Sequence, residues 1–113
     1  GLAYNSRIEA ERRQSELNWA DNITIAADGT VAVTMSAGVG RKVAGVRLSG
    51  VLSRPATAGF DRPLRFTEVE PGLYTADAAG IESGSWLVAI EARMSPADKE
   101  PVYRARRRLW LKP

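Results

Sequence analysis

The sequence predicts an all-β fold, an immunoglobulin-like β-sandwich of about seven strands preceded by an N-terminal α-helix. Three observations lead to it. From residue 21 onward, apolar and polar residues alternate in short runs, the period of half-buried strands. Turn-forming residues separate these runs at close intervals. Residues 2–19 follow a helical spacing instead. A chain of 113 residues, 44% hydrophobic and 26% charged, suits one core between two layers. It divides into a helical unit, residues 1–20, and a sandwich, residues 21–113.

Leu2 to Trp19 contains no proline or glycine and is rich in Ala, Glu, Arg, Gln and Leu, all good helix formers. Tyr4, Ile8, Ser15 and Trp19, with Leu17 close by, form one thin apolar stripe, which suits a helix lying on something or leading out of it. Glu9 with Arg12 or Arg13 adds pairs worth a few tenths of a kcal/mol on the opposite face. After Asp21-Asn22, Ile23 and Ile25 alternate into the hairpin signal Asp28-Gly29, and Val31, Val33 and Met35 continue beyond it. Gly38 to Lys42 reads as a flexible connection; its glycines lack the Walker spacing and the following helix that a phosphate loop needs.

Val46, Leu48, Gly50 and Leu52 give the next strand an apolar face, and Arg54-Pro55 stops it. A loop from Ala58 to Pro63 leads to one strand running from Leu64 and Phe66 into Glu68-Val69-Glu70, and Pro71-Gly72 turns the chain. Leu73 to Ala76 and Trp86 to Arg93 supply two further strands, the second with Trp86, Val88, Ile90 and Ala92 on one side. Ser95 to Asp98 turns the chain again. The last strand, Val102 to Leu111, sets Tyr103, Ala105, Arg107, Leu109 and Leu111 on one face and Arg104, Arg106, Arg108 and Trp110 on the other. Gly72-Leu73-Tyr74 and Gly84-Ser85-Trp86 repeat one pattern, a glycine two residues before a large aromatic, where two strands begin.

No cysteine and no histidine are present, which removes disulfides, thiolate chemistry, the usual zinc ligands and the commonest acid-base side chain. Glu68 and Glu70 share a strand face but read as solvated, since a catalytic pair needs two carboxyls held in different environments. Met35 and Met94 are too few for a copper site and read as core filling. Tyr74 and Trp86 each bury on the order of 150–250 Å², a contribution of a few kcal/mol, so core packing outweighs a ligand platform. No catalytic residue, metal ligand or cofactor is expected.

The net charge of +3 is unevenly placed. Residues 99–113 carry Lys99, Arg104, Arg106, Arg107, Arg108 and Lys112 against Glu100 alone. The face bearing Arg104, Arg106, Arg108 and Trp110 reads first as a solvated face protected from edge pairing by its charge. A protein partner or an anionic lipid surface ranks second, and single-stranded nucleic acid third. No run approaches the roughly 20 apolar residues of a membrane span. The chain begins with Gly1 and not with methionine, and an upstream piece is expected.

Gly1-Leu2-Ala3-Tyr4-Asn5 with Ile8, Gln14, Leu17 and Trp19, then Arg54-Pro55, Gly72-x-Tyr74 and Gly84-x-Trp86, resembles the periplasmic part of the FixH (CcoH) family over nearly the whole chain. Asn18 departs from the small residue, such as glycine, expected before the tryptophan. The resemblance implies a non-catalytic domain that follows a single membrane helix, on the periplasmic face of the bacterial inner membrane. It implies membership of the FixGHIS set, in which a copper-transporting ATPase and an iron-sulfur membrane protein help mature the cbb-type oxidase used during nitrogen fixation. Those proteins, or membrane-embedded oxidase subunits, are the implied partners, with no nucleic acid and no cofactor. The partner-binding candidates are Tyr4, Ile8, Leu17 and Trp19 on the helix and Arg104, Arg106, Arg108 and Trp110 on the last strand. A general extracytoplasmic protein- or carbohydrate-binding module is the alternative, and it requires an exposed aromatic patch including Trp86 and Trp110.

Overall fold

The computed structural model describes residues 2–56 and 59–113. Gly1 of the expected helical unit and Ala58 of the expected loop lie outside the described residues. Helix α1 (Leu2–Leu17) carries the ion pairs Arg13–Glu9 at 3.5 Å and Arg12–Glu16 at 3.0 Å on its exposed surface. It ends two residues before the expected Trp19. Asn18 takes a left-handed φ of 56°, its N–H donates to Ser15 at 3.2 Å, and Trp19 already belongs to the first strand. The same angle explains the departure noted at this position. Glycine adopts it without strain, and asparagine is among the few other residues that visit it readily.

Nine strands follow among the described residues: β1 (Trp19–Ile25), β2 (Thr30–Ala37), β3 (Arg41–Lys42), β4 (Arg47–Ser53), β5 (Asp61–Arg65), β6 (Thr67–Glu70), β7 (Leu73–Asp77), β8 (Gly84–Arg93) and β9 (Tyr103–Leu111). All pair antiparallel. One sheet has the order β1-β2-β7-β6, with β3 also on β2; the other is β5-β4-β8-β9. This is the immunoglobulin sandwich arrangement with one strand added to the second sheet. Two differences raise the count above the expected seven. The run from Leu64 to Glu70 breaks at Phe66, so that β5 and β6 join opposite sheets. Arg41 and Lys42, expected in a flexible connection, pair briefly with Ala37 and Ser36.

Alternation puts Val31, Val33, Met35, Leu52, Tyr74, Trp86, Val88 and Ile90 in the core, where each is essentially inaccessible. Met94 corrects the core-filling expectation. It lies past the end of β8, where the chain bends, and is 58% exposed.

Each glycine–aromatic pair has a structural reason. Gly72 and Gly84 have φ of 79° and 119°, and a Cβ at Gly84 would lie 2.9 Å from Nη1 of Arg54. That guanidinium sits 3.8 Å over the Trp86 ring and donates to the carbonyls of Ser85 at 2.9 Å and Ser83 at 3.1 Å. The indole N–H donates to Glu82 O at 2.8 Å. Tyr74 is equally anchored: its hydroxyl donates to Val43 O at 2.9 Å and accepts from Val46 N at 3.3 Å. These are the ends of the segment that crosses from one sheet to the other. Glu68 completes the clamp by accepting from the backbone N–H of Gly45 at 3.1 Å and of Gly72 at 3.1 Å. It is a backbone cap, where a merely solvated residue was expected.

Replacing Tyr74 by Phe keeps the ring but leaves a carbonyl and an N–H at the crossing without a partner. Tyr74→Phe is expected to lose about 1–3 kcal/mol in urea unfolding; an unchanged midpoint would contradict the clamp.

The Gly72 N–H, with help from Gly45 and Tyr74, holds the Glu68 carboxyl below its ordinary value of 4.5. A depressed carboxylate stabilises the fold above that ordinary value, and this contribution disappears as pH falls through the lower folded-state value. Unfolding curves from pH 6 downward should therefore fall less steeply for Glu68→Gln than for the parent chain.

Candidate docking surface

Strand β9 ends its sheet, so every second residue turns its backbone polar groups away from β8. The phase is set where β9 begins. Val102 N–H bonds to Ala92 O at 2.8 Å although Tyr103 is the register partner of Ala92, so two residues oppose one there, and the bonds that the Arg104 N–H and C=O make outside the sheet turn Arg104 toward the open edge and Tyr103 toward β8. Gln14 of the helix occupies that position. Its amide donates to Arg104 O at 2.9 Å and accepts from Arg104 N–H at 2.9 Å, the pairing that a neighbouring strand would make. Half-buried Leu17 lies one turn further along the helix. An open groove of about 950 Å³ remains, bounded by Ala10, Gln14 and Trp19 on one side and Pro101, Val102 and Tyr103 on the other.

Below the helix, β1 and β9 meet at the seam between the sheets. The Asp21 side chain is buried there; its Oδ1 accepts from the Tyr103 hydroxyl and from Nη2 of Arg107 at 2.9 Å. Its Oδ2 is buried with no partner among the described residues. Trp19 packs against the Tyr103 ring at 6.0 Å between centroids. Burial, and then the bond to Asp21, push the Tyr103 phenol well above its ordinary value of 10. On the outer face, desolvation pulls Glu91 upward, but its bonds to Arg104 and Arg93 outweigh this and leave its carboxyl below the usual value.

The eight candidates are only partly brought together. Tyr4 and Ile8 are 65% and 45% exposed, one turn apart and roughly a quarter of a turn round the helix from Gln14. Leu17 is half-buried, and Trp19 belongs to β1 instead of the helical stripe. Arg104 lies under the helix and pairs with Glu91 at 3.2 Å and Glu100 at 3.5 Å. Arg106 and Arg108 are exposed and in no ion pair among the described residues. Trp110, further along β9, is 64% exposed, whereas Trp86 is 1% exposed, so the two do not form one aromatic patch.

Gln14, Asp21 and Arg107 hold this region and were not among the candidates. Arg107 carried a signal: an arginine on the inward face of a strand calls for a carboxylate across the core. Among the described residues, no group of three or more acidic side chains is placed to hold a metal ion.

Tyrosine absorbance titration checks the seam. Tyr103 should ionise only well above pH 10, and Asp21→Asn, which removes the neighbouring negative charge, should lower that transition. Stability contributed by the neutral phenol is present below its ordinary value and is lost as pH rises toward the folded-state one. An identical titration in the variant would contradict the arrangement.

No curated protein matches the chain. The family model of FixH matches residues 1–110, which span the helix, both sheets and all of β9 but Leu111. Helix, seam and sandwich thus all fall within the matched stretch, and the chain belongs to the FixH family.

Proposed function

We propose that this chain is the non-catalytic, extracytoplasmic domain of a membrane-anchored protein that assists assembly or copper maturation of a cbb-type cytochrome oxidase. Membership of the FixH family supports this reading. No helix among the described residues is long and apolar enough to cross a membrane, so in this reading the anchor is a segment preceding the chain. It places the domain on the periplasmic face of the inner membrane, beside oxidase subunits or the copper-transporting ATPase and iron-sulfur protein of the same set.

The observation that carries the docking mechanism is the pair Tyr4 and Ile8. The helix is fastened to β9 through Gln14, and these two apolar side chains stay exposed one turn apart on a neighbouring face. Such a pair supplies the i and i+4 anchors by which a helix packs against another helix. In the membrane-anchored protein it meets the extracytoplasmic end of a partner's membrane helix.

Deleting the domain should lower oxidase activity in membranes, and normal copper loading of the oxidase in such a strain would contradict the proposal. The double variant Tyr4→Ala, Ile8→Ala tests the surface alone. It should reproduce much of the deletion phenotype while the sandwich keeps its unfolding midpoint, because neither side chain belongs to the core.

A further inference from the structure

The helix covers only the beginning of the β9 edge. Arg106, Arg108 and Trp110 have the same parity as Arg104, so their backbone N–H and C=O groups also face away from β8. No hydrogen bond among the described residues engages those three N–H groups. The Arg106 carbonyl takes one bond, from Nη1 of Arg107 at 2.9 Å, and keeps its second lone pair. At Arg104, the Gln14 amide shows what this edge accepts: a planar group that donates and accepts side by side, at 2.9 Å each. We infer that the edge from Arg106 to Trp110 binds an extended acidic peptide segment of a partner protein, which adds to the sheet as a further strand.

Charge selects the occupant. Arg106 and Arg108 project from the outer face of the sheet, opposite Ala89 and Leu87 of β8, which bring no carboxylate to them. An added strand sets its own alternate side chains beside these arginines. Acidic residues two apart fit that row, and an apolar residue next in line meets exposed Trp110. A second copy of β9 is disfavoured, because it would set arginine against arginine. Lipid headgroups would satisfy the charges but not the row of N–H and C=O groups. The surface is independent of the helix face carrying Tyr4 and Ile8, so this inference stands or falls separately from the proposed function.

The test is an NMR titration of the ¹⁵N-labelled chain with a blocked peptide of alternating glutamate and valine. The expected result is slowed exchange at the amides of Arg106, Arg108 and Trp110. N-methylation of the peptide at the edge facing β9 should weaken binding at least about tenfold, the loss of one or two backbone bonds. Arg106→Ala and Arg108→Ala should each weaken it about two- to fivefold. In Gln14→Ala the peptide should also protect the Arg104 amide, extending the footprint toward the vacated position. The inference is overturned by any of four results: no binding up to about 1 mM, equal binding of the N-methylated peptide, protection of amides elsewhere on the fold, or shifts on this edge with phosphatidylserine vesicles but not with the peptide.

Discussion

Arg107 lies on the inward parity of β9, so strand geometry carries its cation toward the seam between the sheets, where a carboxylate has to receive it. Asp21, near the start of β1, is that carboxylate, and Tyr103 donates to the same oxygen. The edge strands of the two sheets are thereby tied together by side chains, with Trp19 packed on Tyr103. The helix is placed by the same arrangement. Only Asn18 separates Trp19 from the aliphatic Leu17, and its left-handed turn folds the helix back over the beginning of β9. Gln14 then meets the outward-facing backbone of Arg104. Breaking a buried ion pair by removing one partner costs about 3–5 kcal/mol, less here because Arg107 is half exposed.

The opposite side of the domain follows the same economy of side-chain-to-backbone bonds. Tyr74 and Glu68 fix the segment that crosses between sheets, and Arg54 fixes the loop before β8 while covering Trp86. With no cysteine available for an inter-sheet disulfide, these bonds and the packed aromatics hold the sheets in register. Neither Tyr74 nor Trp86 remains available to a ligand. Both rings belong instead to the frame that carries the helix and β9.

The alternation of Val31-Val33-Met35 and of Trp86-Val88-Ile90-Ala92 made the sheet faces legible in the sequence, because burial and parity coincide there. Three things were less legible. The strand through Phe66 changes sheets, and period-two spacing continues across such a break without marking it. Met94 keeps the parity of β8 but lies past its end, so parity alone misplaces it in the core. Trp19 fits a helical spacing with Ser15, but the conformation at Asn18 decides its neighbours. The tethering residues were hidden for a different reason: Gln14 and Asp21 act on groups about 90 positions away, Arg104 and Arg107, and no local pattern encodes that proximity.

The helix is fastened to the β9 edge at one place, Arg104, and leaves the rest of that edge open, an arrangement on which both docking surfaces depend. Amide hydrogen exchange of the isolated chain measures this directly. The Arg104 N–H, bonded to Gln14 Oε1 at 2.9 Å, should exchange much more slowly than those of Arg106 and Arg108, and Gln14→Ala should bring it to their rate. Equal exchange at all three positions in the parent chain would contradict it, since the helix would then have no fixed seat on the sandwich.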